Sequence, residues 1–419
     1  MTFEVHSEIG RLRRVLIHRP GLEIDWMVPS MMERLLFDDI LYGEEARQEH
    51  DAFCGVLRAA GVETLDPQRL LAEVLAGDSV RRALLARLGD EHGVEASLCE
   101  ELAELEPAEL ARALISGLLA PETAPPDGTM RSFYRLPPVP NFFFQRDPQA
   151  VLGRHVLISS MATEAREREP LLAETVFRHH PALAGGDAVL TVRRRRPGAA
   201  MPRIEGGDLL VASPEVLLAG LSERTDRWGI EALATRLREV GASFRHLVVV
   251  ELPPKRSYMH LDTVFTFIDH GLCLAYLPVI APGGSESGHV YRIDLTAPAI
   301  SYTVCDHLPG ALAALGIEVE LVPCGGSDSI IDQQREQWTD GANAFAIAPG
   351  VIVIYRRNRR TAEALARRGW RVIEEEAVLS GREPLLGHGP TVVTLLGDEL
   401  SRARGGPRCM TMPLVRDRG

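Results

Sequence analysis

Four times along the chain an apolar strand meets a turn, a second apolar strand follows, and a polar helical stretch begins. The segments are DPQAVLGRHVLISS at 147–160, DLLVASPEVLLAGL at 208–221, DTVFTFIDHGLCLAYLP at 262–278 and DGANAFAIAPGVIVIY at 340–355. Each carries turn residues at its centre: Gly153-Arg154, Ser213-Pro214, Asp269-His270-Gly271 and Pro349-Gly350. Such residues between β-rich runs predict hairpins. Each copy also opens with an acid, namely Asp147, Asp208, Asp262 or Asp340. A fifth copy is split between the chain ends, with CMTMPLVR at 409–416 as one half and LRRVLIHRP at 12–20 as the other. Cys409 then stands where the other copies have their acid. Five such modules in a ring bring all five openings to one axis.

From about Met31 to Ala120 the period changes. ARQEHDAFCGVLRAA, VRRALLARLG and EPAELARALISGLL carry apolar residues three and four apart, the spacing of a helix buried on one face. This predicts a helical insertion over 31–130, ending in the Pro- and Gly-rich APETAPPDGTM, within an α/β catalytic body made of 1–30 and 131–419. A later helix is expected in TAEALARRGW, with Thr361 as N-cap and Gly369 near its C-terminus.

At 419 residues, the chain has room for roughly two to four domains. A net charge of −12 argues against nucleic acid or an anionic membrane as the main partner. The one basic run, Arg193 to Arg196, leads into Pro197-Gly198 and reads as a solvated loop edge. No run of about 18 apolar residues is present, and the best candidate is interrupted by Asp269 and His270. The start MTFEVHSEIG has no basic-then-apolar signal pattern. The six cysteines are widely spaced, without CxxC or zinc-ligand spacing. These features predict a cytoplasmic protein with free thiols.

Chemistry concentrates where the modules open. In RGGPRCM, Cys409 has Arg404 and Arg408 beside it, and nearby cations favour a thiolate. Gly405 and Gly406 would let a ligand come close. In MHLD, His260 and Asp262 are two apart on a presumed strand and so share a face, a reasonable general base with a positioned carboxylate. The pair can also be read as a satisfied polar pair, or as metal ligands, although no second histidine stands at ligand spacing. EGGD at 205–208 permits close backbone approach or simply bends into a strand. CGGSDS lacks the Lys-Ser/Thr of a phosphate loop, and Asp340 before Gly341 reads as turn chemistry. One cysteine, one histidine and several carboxylates suit thiolate attack on a guanidinium, which is planar, always charged and paired bidentately by carboxylates.

With these residues in view, the chain resembles bacterial arginine deiminase, in the guanidino-group-modifying (pentein) superfamily, over nearly its whole length. The resemblance is carried in order by HSEIGRLRRVLIHRPG, LLFDDILYGEEARQEHDAF, NFFFQRDP, EREP, IEGGD, LSERT, MHLDTVFT, REQWTDGAN and RGGPRCMTMPL. It implies a five-module α/β propeller with a helical insertion. It also implies hydrolysis of L-arginine to L-citrulline and ammonia through a covalent cysteine thiouronium, with no cofactor. Cys409 matches the nucleophile and His260 the general acid/base. Asp147 and Asp262 match the carboxylates that grip the guanidinium, and Glu205 a further acid beside the reacting nitrogens. Arg166, Arg224 and Arg404 match arginines near the amino-acid end of the substrate, Asn141 a pocket-lining side chain, and Asp208 a supporting acid. A homo-oligomer, dimer or tetramer, is expected. Gln145, Phe142 and Phe143 depart from the family pattern and bear on substrate preference. The alternatives are an amidinotransferase, a deiminase or dihydrolase for another guanidine, and a catalytically idle binding module.

Overall fold

The computed structural model describes residues 3–121, 129–183, 188–192 and 201–418. The basic run at 193–196 and most of the loop expected to close the insertion lie outside them. Strand β1 (Leu12–Ile17) is followed by the helix Gly43–Ala59 and by β2 (Glu63–Leu65), which pairs parallel with β1. Four helices come next, Pro67–Leu75, Asp78–His92, Ala96–Ala103 and Pro107–Ser116, and then a small ribbon of β3 (Leu118–Leu119) and β4 (Tyr134–Leu136). From there the hairpins follow one another. β5 (Gln149–Leu152) and β6 (His155–Ile158) pair antiparallel, and β7 (Val189–Thr191) joins β6 in parallel. β8 (Leu209–Ser213) and β9 (Val216–Leu221) do the same with β10 (His246–Glu251).

The third hairpin is β11 (Phe265–Asp269) with β12 (Leu272–Ala275). β13 (Val290–Asp294) and β14 (Tyr302–Cys305) then widen the second sheet beyond β10, and β15 (Glu320–Pro323) runs parallel to β12. β16 (Phe345–Ala348) and β17 (Val351–Tyr355) form the fourth hairpin. β18 (Arg371–Glu374) and β19 (Thr391–Leu395) complete its sheet, with β19 parallel to β17. Finally β20 (Thr411–Arg416) pairs antiparallel with β1. Five sheets thus share one plan, an antiparallel hairpin with a third strand parallel to its second member, and one of them joins the two chain ends.

The turns explain the hairpins locally. Gly153 and Gly350 adopt φ of +62° and +69°, the left-handed conformation that a side chain disfavours. The second hairpin uses another device, the Ser213 hydroxyl accepting from the amides of Glu215 and Val216. Every residue of β17 is buried, as in β5, β16 and β19. Such strands are covered on both faces, which is why VIVIY is an unbroken apolar run rather than an alternating one. Each fully buried aliphatic chain among them contributes roughly 1.5–3 kcal/mol. Successive modules touch: a bridge links Ser160 to Ile204, β5 packs on β20, and β11 on β16.

Two expectations change. The segment 31–130 is not wholly separate from the sheets, because Gly43–Ala59 and β2 complete the sheet of β1. The helices outside the repeated plan begin at Pro67. Periodicity registers a helix but not whether a sheet adopts it. Thr361 is not an N-cap, since its helix, Arg359–Ala366, starts two residues earlier. Instead the Thr361 amide and hydroxyl donate to the Glu336 carboxylate, which also accepts from the amide of Arg360.

Candidate active site

Each hairpin is entered through a tight segment rather than an extended one. Gly206–Asp208 and Leu261–Thr263 are short 3-10 turns immediately before β8 and shortly before β11. His260 and Asp262 are therefore not alternate residues of a strand; His260 precedes the second of these turns and Asp262 lies within it. Asp147 follows the 3-10 turn Pro140–Phe143, and Cys409 lies in the turn before β20. Asp340 sits at φ +61° after the helix Ile330–Trp338. The openings converge, and one narrow cavity is lined by Asn141, Asp147, Arg166, Arg224, His260, Arg404 and Cys409, with Leu36, Phe144, Arg256 and Met259.

At its floor the Cys409 sulfur is 3.8 Å from Asp262 Oδ2. The His260 Nε2 lies 2.8 Å from Glu205 Oε2, and its Nδ1 3.6 Å from Asp147 Oδ1. Gly207 permits this packing, because a Cβ there would stand 2.6 Å from His260 Nδ1 and 2.8 Å from Asp147 Oδ1. The close approach expected of EGGD is thus made to the imidazole. Asp147 Oδ1 and Asp262 Oδ1 are both buried with no hydrogen-bond partner among the described residues. Buried carboxylate oxygens are costly when unpaired, so the pair is suited to a cation that brings N–H donors.

The neighbours hold these groups in place. Arg408 donates to Asp262 Oδ2 at 2.7 Å, to Glu8 Oε2 at 3.1 Å and to the Leu209 carbonyl at 2.8 Å. Asn343 Oδ1 accepts from the amides of both Arg408 and Cys409, while its Nδ2 donates to the Asp262 carbonyl. Asp208 stands behind the cavity, accepting from the Leu261 amide and the Ser222 hydroxyl. Glu8 and Asn343 were not singled out for a role by sequence reasoning, and Arg408 was singled out only as a cation beside Cys409. Their signal lay in HSEIG, GGPRC and TDGAN, motifs that had no partner until the chain ends met.

Charge on the cysteine departs from expectation. Burial, then the carboxylates of Asp262, Asp147 and Asp340, push the Cys409 thiol well above its usual range. Of the adjacent arginines, Arg408 spends its donors on Asp262, Glu8 and a carbonyl, so it does not support a thiolate. Gly405 and Gly406 do not face a ligand either. A Cβ on the first would strike the Phe144 ring at 2.1 Å, and one on the second would meet Asn343 Oδ1 at 2.6 Å. Burial opposes charge on His260, but Asp147, Glu205 and Asp208 outweigh it and lift the imidazole to about 9. Burial likewise opposes charge on Glu205, and Arg224, His260 and Arg166 overcome it, holding that carboxyl at about 2.

The expected substrate arginines differ in their free capacity. Arg166 donates to Asp147, to Glu169 and to the carbonyls of Asn141 and Phe144. Asn141 itself donates to the Leu35 carbonyl. Arg224 lies 4.0 Å from Glu205. Arg404 is buried, with Nε and Nη1 unpartnered among the described residues. Asp340, expected to be turn chemistry alone, also turns a buried carboxyl toward this site, and burial raises it to about 7. Among the described residues no cluster of three or more His, Cys, Asp or Glu is arranged to hold a metal ion, and no helix is long and apolar enough to cross a membrane.

Comparison with known proteins bears on the fold and the family. Two solved structures align over 96% of this chain and 99% of their own: DDAH from Pseudomonas aeruginosa complexed with citrulline, and a dimethylarginine dimethylaminohydrolase adduct with S-methyl-L-thiocitrulline. TM-scores are 0.50 and 0.51, at 15% and 16% identity. At that identity they speak for the fold, a mixed α/β pentein fold. Arginine deiminases of Clostridium perfringens and Staphylococcus aureus are 38% and 37% identical, over 99% of this chain and 98% of theirs. The family described as arginine deiminase matches residues 33–416. By sequence along its whole length, the chain belongs to the arginine deiminase family.

Proposed function

We propose that the protein hydrolyses L-arginine to L-citrulline and ammonia, with Cys409 as nucleophile and His260 as the proton carrier. The observation that carries the reading is the pair of buried oxygens, Asp147 Oδ1 and Asp262 Oδ1, that have no hydrogen-bond partner among the described residues, with the Cys409 thiol beside Asp262. An entering guanidinium pairs with those oxygens and offsets the negative charge that keeps the thiol protonated. The thiol then releases its proton to solvent as the complex forms, and the sulfur attacks the guanidinium carbon to give a tetrahedral adduct. His260, protonated at neutral pH, gives its proton to the departing ammonia, leaving a thiouronium on Cys409. The neutral imidazole then takes a proton from water as it adds to the same carbon. Collapse breaks the C–S bond, the hydroxyl proton passes to the departing sulfur to restore the thiol, and the ureido carbonyl of citrulline forms. Glu205 holds His260 in place throughout.

Arg224 and Arg404, both lining the cavity, meet the substrate carboxylate. Arg166 contributes charge there while sharing its donors with Asp147 and Glu169, and Asn141 shapes the wall. The supporting frame is a five-module α/β propeller, consistent with five sheets of one plan in contact, and with a helical insertion running from Pro67. The test is release of citrulline and ammonia from L-arginine by the purified protein, with and without an added amine. Equal release in both is expected, and transfer of the amidino group to the amine would overturn hydrolysis. Cys409→Ala should lower turnover by several powers of ten with little change in thermal unfolding. Turnover within about tenfold of wild type would remove Cys409 as nucleophile.

A further inference from the structure

We propose that Trp338 is a positioning residue for Arg404, holding that guanidinium by its face so that its donor edge selects ligands bearing a carboxylate. The inference rests on the reading of Arg404 as a carboxylate-binding group. The guanidinium carbon of Arg404 lies 3.4 Å from the centroid of the Trp338 ring. Such stacking uses the plane of the cation and none of its N–H groups. Arg166 and Arg408 are held differently, with their edges committed to carboxylates and carbonyls. Arg256, also at the cavity, is spent on Asp38 and the Leu36 carbonyl. Arg404 makes no ion pair within 4.0 Å among the described residues, and its Nε and Nη1 are buried without a partner. The buried N–H edge of such a guanidinium is satisfied when an anion meets it.

Backbone and surroundings agree. Arg404 adopts φ +64° without being glycine, a strained choice in which the fold aims this side chain. Trp338 ends the helix Ile330–Trp338 and is 43% exposed. A large indole in that place gains little from burial, and its contact with Arg404 gives it a use. Two residues on, Asp340 offsets part of the Arg404 charge through space without bonding to its edge, and Asp340 Oδ2 has no hydrogen-bond partner among the described residues. REQWTDGAN thereby acquires a purpose beyond a turn: it supplies the platform and the counter-charge for an arginine from the other end of the module.

Kinetics with L-arginine and with agmatine, which lacks the α-carboxylate, test the inference in wild type, Trp338→Leu, Trp338→Phe, Arg404→Ala and the Arg404→Ala/Trp338→Leu double variant. Loss of the stack should raise KM for arginine about 5- to 30-fold, with kcat changed less than about twofold. kcat/KM for agmatine should be unchanged by Trp338→Leu. Trp338→Phe, which keeps an aromatic face, should recover most of the loss. In the Arg404→Ala background Trp338→Leu should add nothing, because its effect passes through the missing side chain. An equal loss with both substrates, or a Trp338 effect that persists at full size without Arg404, overturns the inference alone. Absence of arginine turnover in the wild type overturns the proposed activity, and this inference with it.

Discussion

His260 stands among more negative charge than it can neutralise. Asp147, Glu205 and Asp208 together lift it to about 9 against the opposing effect of burial. Below that value the imidazole is charged and can serve as acid, and above it the proton that ammonia needs is missing. The free-enzyme profile, kcat/KM against pH, should therefore fall on an alkaline limb near about 9. Glu205→Gln removes one of the carboxylates that raise the value, so the limb should move to lower pH, and kcat should fall as the ring loses its 2.8 Å partner. A limb that stays in place would mean another group sets it. The same residues mark what sequence could not supply. Neighbours along the chain, Arg404 and Arg408, suggested a thiolate at Cys409. In space one turns to Asp262 and Glu8 and the other to Trp338, and the charges that face the sulfur come from three other modules.

At the level of elements, the hairpins were legible because each joins two apolar runs across turn residues whose conformation is local. The split fifth hairpin was legible because CMTMPLVR and LRRVLIHRP each carry half the pattern. The partner strands were not. β2, β7 and β18 are three or four residues long and gain their strand character from the sheet they join. The turns that carry the chemistry were read as strand starts, though a 3-10 turn sets His260 and Asp262 differently. Such turns tolerate little. A Cβ at Gly207 would come within 2.6 Å of His260 Nδ1 and 2.8 Å of Asp147 Oδ1, so Gly207→Ala must displace the imidazole, the carboxylate or both. A shift near 1 Å at reacting groups costs about 100-fold. Gly207→Ala should lose at least that in kcat while the circular dichroism of the fold is retained. Near-wild-type kcat would show that the turn yields elsewhere.

Across the molecule, one buried contact joins the sheet of the chain ends to the helices outside the repeated plan. His18 follows β1, and its Nδ1 lies 3.2 Å from Asp66, which follows β2 and caps the helix Pro67–Leu75 through the Gln68 amide. Its Nε2 lies 3.3 Å from Glu23, whose other oxygen accepts from Ser116 at the end of the helix Pro107–Ser116. A single imidazolium thus ties the first and last of these helices to the strands beneath them. Burial opposes its charge, but hydrogen bonds to Asp66 and Glu23 prevail and raise it to about 10. The sign follows from linkage. A group bound more tightly to its proton when folded contributes its full stability below the unfolded value, about 6.5, and loses it as pH rises through about 10. His260, raised to about 9, acts in the same direction. Wild-type protein should accordingly unfold at progressively lower temperature between about pH 7 and 10. The share due to His18 is on the order of 1–3 kcal/mol, reduced from the full value because Asp66 is 43% exposed and partly screened. His18→Gln keeps a polar side chain but no charge. It should be less stable than wild type at pH 7 by that amount, and the two proteins should converge toward pH 10. Parallel melting curves across the range, with no gap at pH 7, would show that the helices are held by their apolar faces alone.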